Sequence, residues 1–212
     1  MGDFKTPRIP MWIKKLRHPS YTNIFDYNLG NKNLWGTETL LGDWDGEYLF
    51  IAKDFYPSSY IEERIGTVAN PYCHKPGIPT NNNLIKTLRY FRNIDEESTT
   101  TDCNFLYISA CFLLRNDGVV RGALPDEQAA LAISAPVVLF TMEKMPNLRY
   151  VVAMGRQAAA SIEAGALEPA IRARNLAYFQ VSHPSYAMSD AARFSEWEPI
   201  FRKRGRSGRA RV

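Results

Sequence analysis

The run of five apolar residues at 48–52, Tyr48-Leu49-Phe50-Ile51-Ala52, restricts the possible folds of this chain more than any other stretch. A strand with no polar alternation has to be covered on both faces, which is the situation of a strand inside a parallel sheet. The run stops at Lys53 and Asp54. Phe55, Tyr56, Pro57, Ser58 and Ser59 follow, and their proline and serines favour a loop. Ligands of open α/β sheets bind beyond the carboxyl ends of the strands. An acid and two aromatics at that point are therefore placed to floor a site for a flat ring. The alternative is a strand that simply ends in a solvated Lys-Asp pair.

Three further runs read as strands, at 105–109, 149–154 and 176–181, and helical segments separate them. Residues 82–92 carry Leu84, Ile85, Leu88 and Phe91 at helical spacing. Pro125-Asp126-Glu127 opens a helix to about residue 145, with Asp126 as its expected N-cap and Pro136 as a kink or break. Helices are also expected at 156–164 and at 190–204, the latter using Phe194, Trp197, Ile200 and Phe201. Four alternations of strand and helix predict an α/β fold, a three-layer αβα arrangement around a four-stranded parallel sheet. The carboxyl ends of the first and fourth strands are expected on one edge, so that Asp54 and His183 face one crevice. Residues 1–47, which mix basic and aromatic side chains with Gly and Asn, read as short helices and loops. Asp43, Asp45 and Glu47 do not continue into a calcium-loop pattern, and a turn before the first strand is expected there.

With 212 residues, 45% of them hydrophobic, the chain suits one domain over 1–201. The three cysteines, Cys73, Cys103 and Cys111, show no CxxC spacing, so neither a disulfide framework nor a zinc or iron-sulfur site is indicated. No apolar run approaches the ~20 residues that span a bilayer, and a cytosolic protein is expected. The net charge of +4 conceals an asymmetry. Six of the 26 Lys and Arg fall at 202–212, which leaves 20 against 22 acids, about −2, in the body. This Gly/Ser/Arg tail is expected to be disordered and suited to neutralising phosphates.

Taken together and in order, these segments resemble the uracil-DNA glycosylase superfamily. Residues 52–57, Ala-Lys-Asp-Phe-Tyr-Pro, are similar to its first motif, Gly-Gln-Asp-Pro-Tyr-His in the best-known branch. His183-Pro184-Ser185-Tyr186 is similar to the motif after its last strand. Pro71-Tyr72, the Arg115 to Glu127 loop and the Gly155 turn resemble intervening segments, and the likeness spans about residues 45–200. A second His-Pro-Ser-Tyr at His18 to Tyr21 follows no predicted strand and is treated as coincidence.

The resemblance implies a monofunctional glycosylase that hydrolyses the N-glycosidic bond of uracil flipped out of DNA and leaves an abasic site. It implies Asp54 and His183 as the catalytic pair, with Ala52, Lys53, Tyr56, Tyr72 and Ser109 around the base. Tyr72 would replace the lost stacking, and Tyr56 would exclude the thymine methyl. Ser58, Arg115, Arg121, Ser185 and Tyr186 are the implied DNA contacts. The family's uracil-reading Asn is replaced here by Ser109 or Ala110, and Asn104, Asn82 or backbone groups are its candidate substitutes. The four cysteines of the iron-sulfur branch are missing, so a divergent member without a cluster, needing no metal or cofactor, is expected. Its partners would be uracil-containing DNA, single- or double-stranded, and the abasic product. It would act as a monomer in the cytoplasm, on the nucleoid in a bacterial cell. The alternative reading is a protein that binds uracil or abasic DNA with slow turnover or none. A nucleotide-binding α/β protein would need a phosphate loop of the GxxxxGK[ST] kind, which the sequence lacks.

Overall fold

The computed structural model describes residues 7–26, 43–55, 57–59, 79–92, 104–120 and 122–202. In chain order the elements are α1 (Met11–Lys14), β1 (Tyr21–Thr22), β2 (Tyr48–Asp54), α2 (Pro79–Arg92), β3 (Phe105–Cys111) and β4 (Leu114–Arg115). They continue with α3 (Glu127–Lys144), β5 (Tyr150–Met154), α4 (Arg156–Ala164), α5 (Glu168–Ala173), β6 (Ala177–Val181) and α6 (Asp190–Phe201). The expected α/β class holds. Four parallel strands in the order β3-β2-β5-β6 form the central sheet, and helices flank it.

Alternation along the strands divides the core into two halves. Leu49, Ile51 and Val151 belong to one half with Leu131 and Val138 of α3 and Ile162 of α4. Phe50, Val152 and Met154 belong to the other with Leu84 and Leu88 of α2 and Trp197 and Ile200 of α6. β2 and β3 are apolar on both sides for this reason, whereas β6, at the sheet edge, alternates half-buried and exposed residues.

Several boundaries depart from the sequence reading. β2 continues through Lys53 to Asp54, which pairs with Cys111 of β3. Lys53 stays in the strand because its stem is buried and its Nζ donates to the Gly122 carbonyl. Asp126 takes the expected N-cap position of α3, its carbonyl accepting from Ala130 N–H at 3.0 Å, but its side chain makes no capping bond. It adopts the left-handed conformation, and its carboxylate accepts from Ser20 Oγ at 3.3 Å. α3 runs unbroken past Pro136, because both Pro136 and Ala132, whose carbonyl loses its helical donor, are exposed to solvent. α6 ends at Phe201, and Arg202 Nη2 donates to Glu198 Oε1 at 3.0 Å.

The 43–47 segment forms the expected turn, with Gly46 N–H donating to the Asp43 carbonyl at 3.0 Å. Gly46 is required because a Cβ there would lie 2.6 Å from the Asn104 carbonyl carbon. The N-terminal region forms a small two-stranded sheet in which β1 pairs antiparallel with β4, a contact the sequence did not suggest. Among the described residues, no helix is long and apolar enough to cross a membrane.

Candidate functional site

Because all four strands of the central sheet are parallel, Asp54 at the end of β2 and His183 just after β6 stand at the same end of the sheet. β5 lies between their strands. Two interstrand spacings, about 10 Å, therefore separate the two strand ends.

The Asp54 side chain is 21% exposed. Burial is the main influence on it and raises its carboxyl above the ordinary range. Lys53 and Arg115 pull the other way, while Glu127 and Asp117 add to the rise. Arg115 Nη1 lies 3.7 Å from Asp54 Oδ2, within ion-pair range but beyond a hydrogen bond.

His183 sits in a turn fastened from below. Tyr186 N–H donates to the His183 carbonyl at 2.8 Å. Arg193, 2% exposed on α6, donates to the carbonyls of Pro184 and Tyr186 at 3.0 and 3.1 Å. Asn83 of α2 donates to the Pro184 carbonyl at 2.7 Å. Glu196 accepts from both Ser182 N–H and Ser182 Oγ. Gly155, at φ +97°, passes beneath the imidazole's root, since a Cβ there would lie 3.0 Å from His183 Cβ.

Hydrogen bonding assigns the tautomer of His183. Ser185 N–H can only donate, and it points at His183 Nδ1 at 3.2 Å. The neutral ring therefore carries its proton on Nε2. Burial, and secondarily the Arg193 charge, push its pKa below the usual histidine value, so the neutral donor form is favoured. One end of the sheet thus holds a carboxylate in a dry setting and, two strands away, a neutral N–H donor.

The other implied site residues divide into several groups. Ala52 and Ser109 are adjacent across β2 and β3, both buried, and Ser109 Oγ has no hydrogen-bond partner among the described residues. Ser185 and Tyr186 are exposed on the turn. Two implied DNA contacts need correction. Ser58 is buried and not at the surface. Arg115 is 3% exposed, with its fork given to Asp117, so it is not a surface cation. Lys53, implied beside the base, instead ties β2 to the 122 loop. Tyr56, Tyr72, Arg121, Cys73, Cys103 and residues 203–212 lie outside the described residues.

Sequence reasoning missed Arg193, Asn83 and Asp117. For Arg193 a signal existed. It shares the i, i+4, i+7 stripe with Trp197 and Ile200, and an arginine on an apolar stripe has to find buried acceptors. The sequence matches no protein-family model, and it has no significant match among curated proteins. The geometry and chemistry of the sheet end are therefore what bear on function.

Proposed function

We propose that the protein is a DNA glycosylase that hydrolyses the N-glycosidic bond of uracil flipped out of DNA. The observation that carries the reading is the pairing of a desolvated Asp54 with a neutral, Nε2-protonated His183 across one end of the sheet. In the reaction the bond from C1′ of the sugar to N1 of the base breaks, and its electron pair leaves on the base. A water oxygen then bonds to C1′.

Cationic character on the sugar and a proton from the water call for a carboxylate, which Asp54 supplies. The departing uracil anion gathers charge on O2, and the Nε2–H of neutral His183 is free to donate to it. A protonated imidazole would be harder to keep in this place, because Arg193 stands behind it. The Ser109 hydroxyl, which can donate or accept, stands beside Ala52 with no exposed surface, so the reading requires the base to displace the side chains that cover it. A single hydroxyl reads one point where an Asn amide reads two, so uracil and cytosine would be separated less sharply than by an Asn. The exposed Ser185 and Tyr186 are offered to the DNA strand.

The test is incubation of the full chain with single-stranded and duplex uracil DNA, followed by alkaline cleavage of abasic sites. Strand cleavage at uracil is expected. Asp54→Asn should lower the rate by about 10² or more, a general-base contribution, while DNA binding persists. Binding of uracil or abasic DNA by the wild type without base release would instead favour the non-catalytic reading.

A further inference from the structure

We propose that Arg115 is a positioning residue for Asp54, held by Asp117 and by the N-terminal segment 20–22 so that its charge reaches the carboxylate without bonding to it. The proposal takes the role of Asp54 from the glycosylase reading, but Arg115's hold on Asp54 can be tested apart from it.

The geometry of the guanidinium carries the argument. Arg115 Nε donates to Asp117 Oδ1 at 2.7 Å and Nη2 to Asp117 Oδ2 at 2.6 Å, a two-point fork. Nη2 also donates to the Ala123 carbonyl at 2.9 Å. Nη1 is buried, has no hydrogen-bond acceptor among the described residues, and faces Asp54 Oδ2 at 3.7 Å. At hydrogen-bonding distance the arginine would occupy a carboxylate lone pair and weaken the base. At this separation the charge favours ionised Asp54 and leaves its lone pairs open to a proton.

The loop that sets the separation is pinned from outside the central sheet. Tyr21 pairs with Arg115 and Thr22 with Leu114 in the β1-β4 ladder. Asn116 N–H donates to the Ser20 carbonyl at 3.0 Å, Thr22 Oγ1 donates to Asn116 Oδ1 at 2.7 Å, and Tyr21 O–H donates to the Pro125 carbonyl at 2.7 Å. The N-terminal segment therefore has a task that its sequence did not show.

The other groups facing Asp54 are accounted for. Lys53, on its own strand, supports the charged form but is tied to the Gly122 carbonyl. Glu127 at the start of α3 and Asp117 oppose it. Cys111, with its thiol pushed up to about 12, and Tyr21, also raised, are neutral at physiological pH. Lys53 is the stronger of the two cationic influences, and Arg115 is the one whose guanidinium turns an unbonded N–H toward the carboxylate.

The experiment is a ¹³C NMR titration of the Asp54 carboxyl in the full-length wild type, Arg115→Met and Arg115→Lys, paired with the pH dependence of kcat/KM for uracil release. Both variants break the fork, and lysine alone keeps a charge. Arg115→Met should raise the Asp54 midpoint, and the acid limb of the activity profile with it, by about one pH unit or more. Arg115→Lys should move them by less than half as much. Equal shifts in both variants, or none in either, would overturn the proposal. In the wild type, which does not depend on a variant folding, the Arg115 guanidinium ¹⁵N resonances should inflect at the Asp54 midpoint and lose that inflection in Asp54→Asn. No inflection overturns it equally. If the midpoint moves as stated while the wild type releases no uracil, the glycosylase reading falls and the Arg115 assignment stands.

Discussion

The sequence His-Pro-Ser-Tyr occurs at His18 to Tyr21 and again at His183 to Tyr186, and both copies fold into the same turn. The tyrosine N–H donates to the histidine carbonyl at 3.1 Å in the first and 2.8 Å in the second. The serine N–H donates to histidine Nδ1 at 3.2 Å in each. Their surroundings differ. The first leads into β1, buries Tyr21 against the 125 loop and sets its ring edge-on to His18 at 5.1 Å. The second follows β6, leaves Tyr186 63% exposed and rests on Arg193 and Asn83. Proline and a serine bonded back to the preceding histidine are enough to make the turn. Position at the end of the sheet, and the buried cation below, make one copy a candidate for chemistry and the other a structural hook.

The contrast is most exposed to failure in activity. His183→Gln should reduce uracil release by about 10² or more, as for the loss of one donor to a developing anion. His18→Gln should leave the rate at saturating DNA unchanged. Comparable losses in both, measured by alkaline cleavage under single-turnover conditions, would erase the distinction.

Stability should show the reverse ordering. Tyr21→Phe takes the donor from the half-buried Tyr21 to Pro125 hydrogen bond and should cost about 0.5–1.5 kcal/mol in urea unfolding. Tyr186→Phe, at an exposed position, should stay within about 0.5 kcal/mol. A larger cost at Tyr186 would mean that the second turn also serves as a fastening.

The smallest effect is in pH dependence. His183 has a folded pKa depressed below the ordinary 6.5. Its contribution to stability is therefore present above the unfolded pKa and is lost as pH falls through the folded value. Thermal melting temperature should fall on acidification below about pH 6.5, and His183→Gln should flatten that part of the curve. An unaltered curve would show that burial and Arg193 do not act on the ring.

The central sheet was legible because long apolar runs such as those at 48–52 and 105–109 have few ways to be covered. The departures arose where side chains found distant partners. Lys53 reads as a strand terminator, yet the Gly122 carbonyl keeps it in β2. Asp126 reads as a helix cap, yet Ser20 takes its carboxylate. Arg115 reads as a free basic residue in a loop, and Asp117, only two positions away, was the local cue to its burial. Arg193 was hidden inside an otherwise apolar stripe.

From sequence alone come the α/β class, the strands of the sheet with half of their bounds, and the placing of Asp54 and His183 at strand ends. These follow from hydrophobic periodicity and from proline, serine and glycine punctuation, which act over a few residues. Only the tertiary structure decided that β5 stands between the strands of that pair, that Asn83 and Arg193 fasten the His183 turn, and that β1 pairs with β4 beside Arg115. Each of these depends on partners brought together across the fold. Ser20 and Asp126, separated by 106 positions, show the distance involved. Burial and charge at such meeting points are set by every element packed there, and no short stretch of the chain contains them.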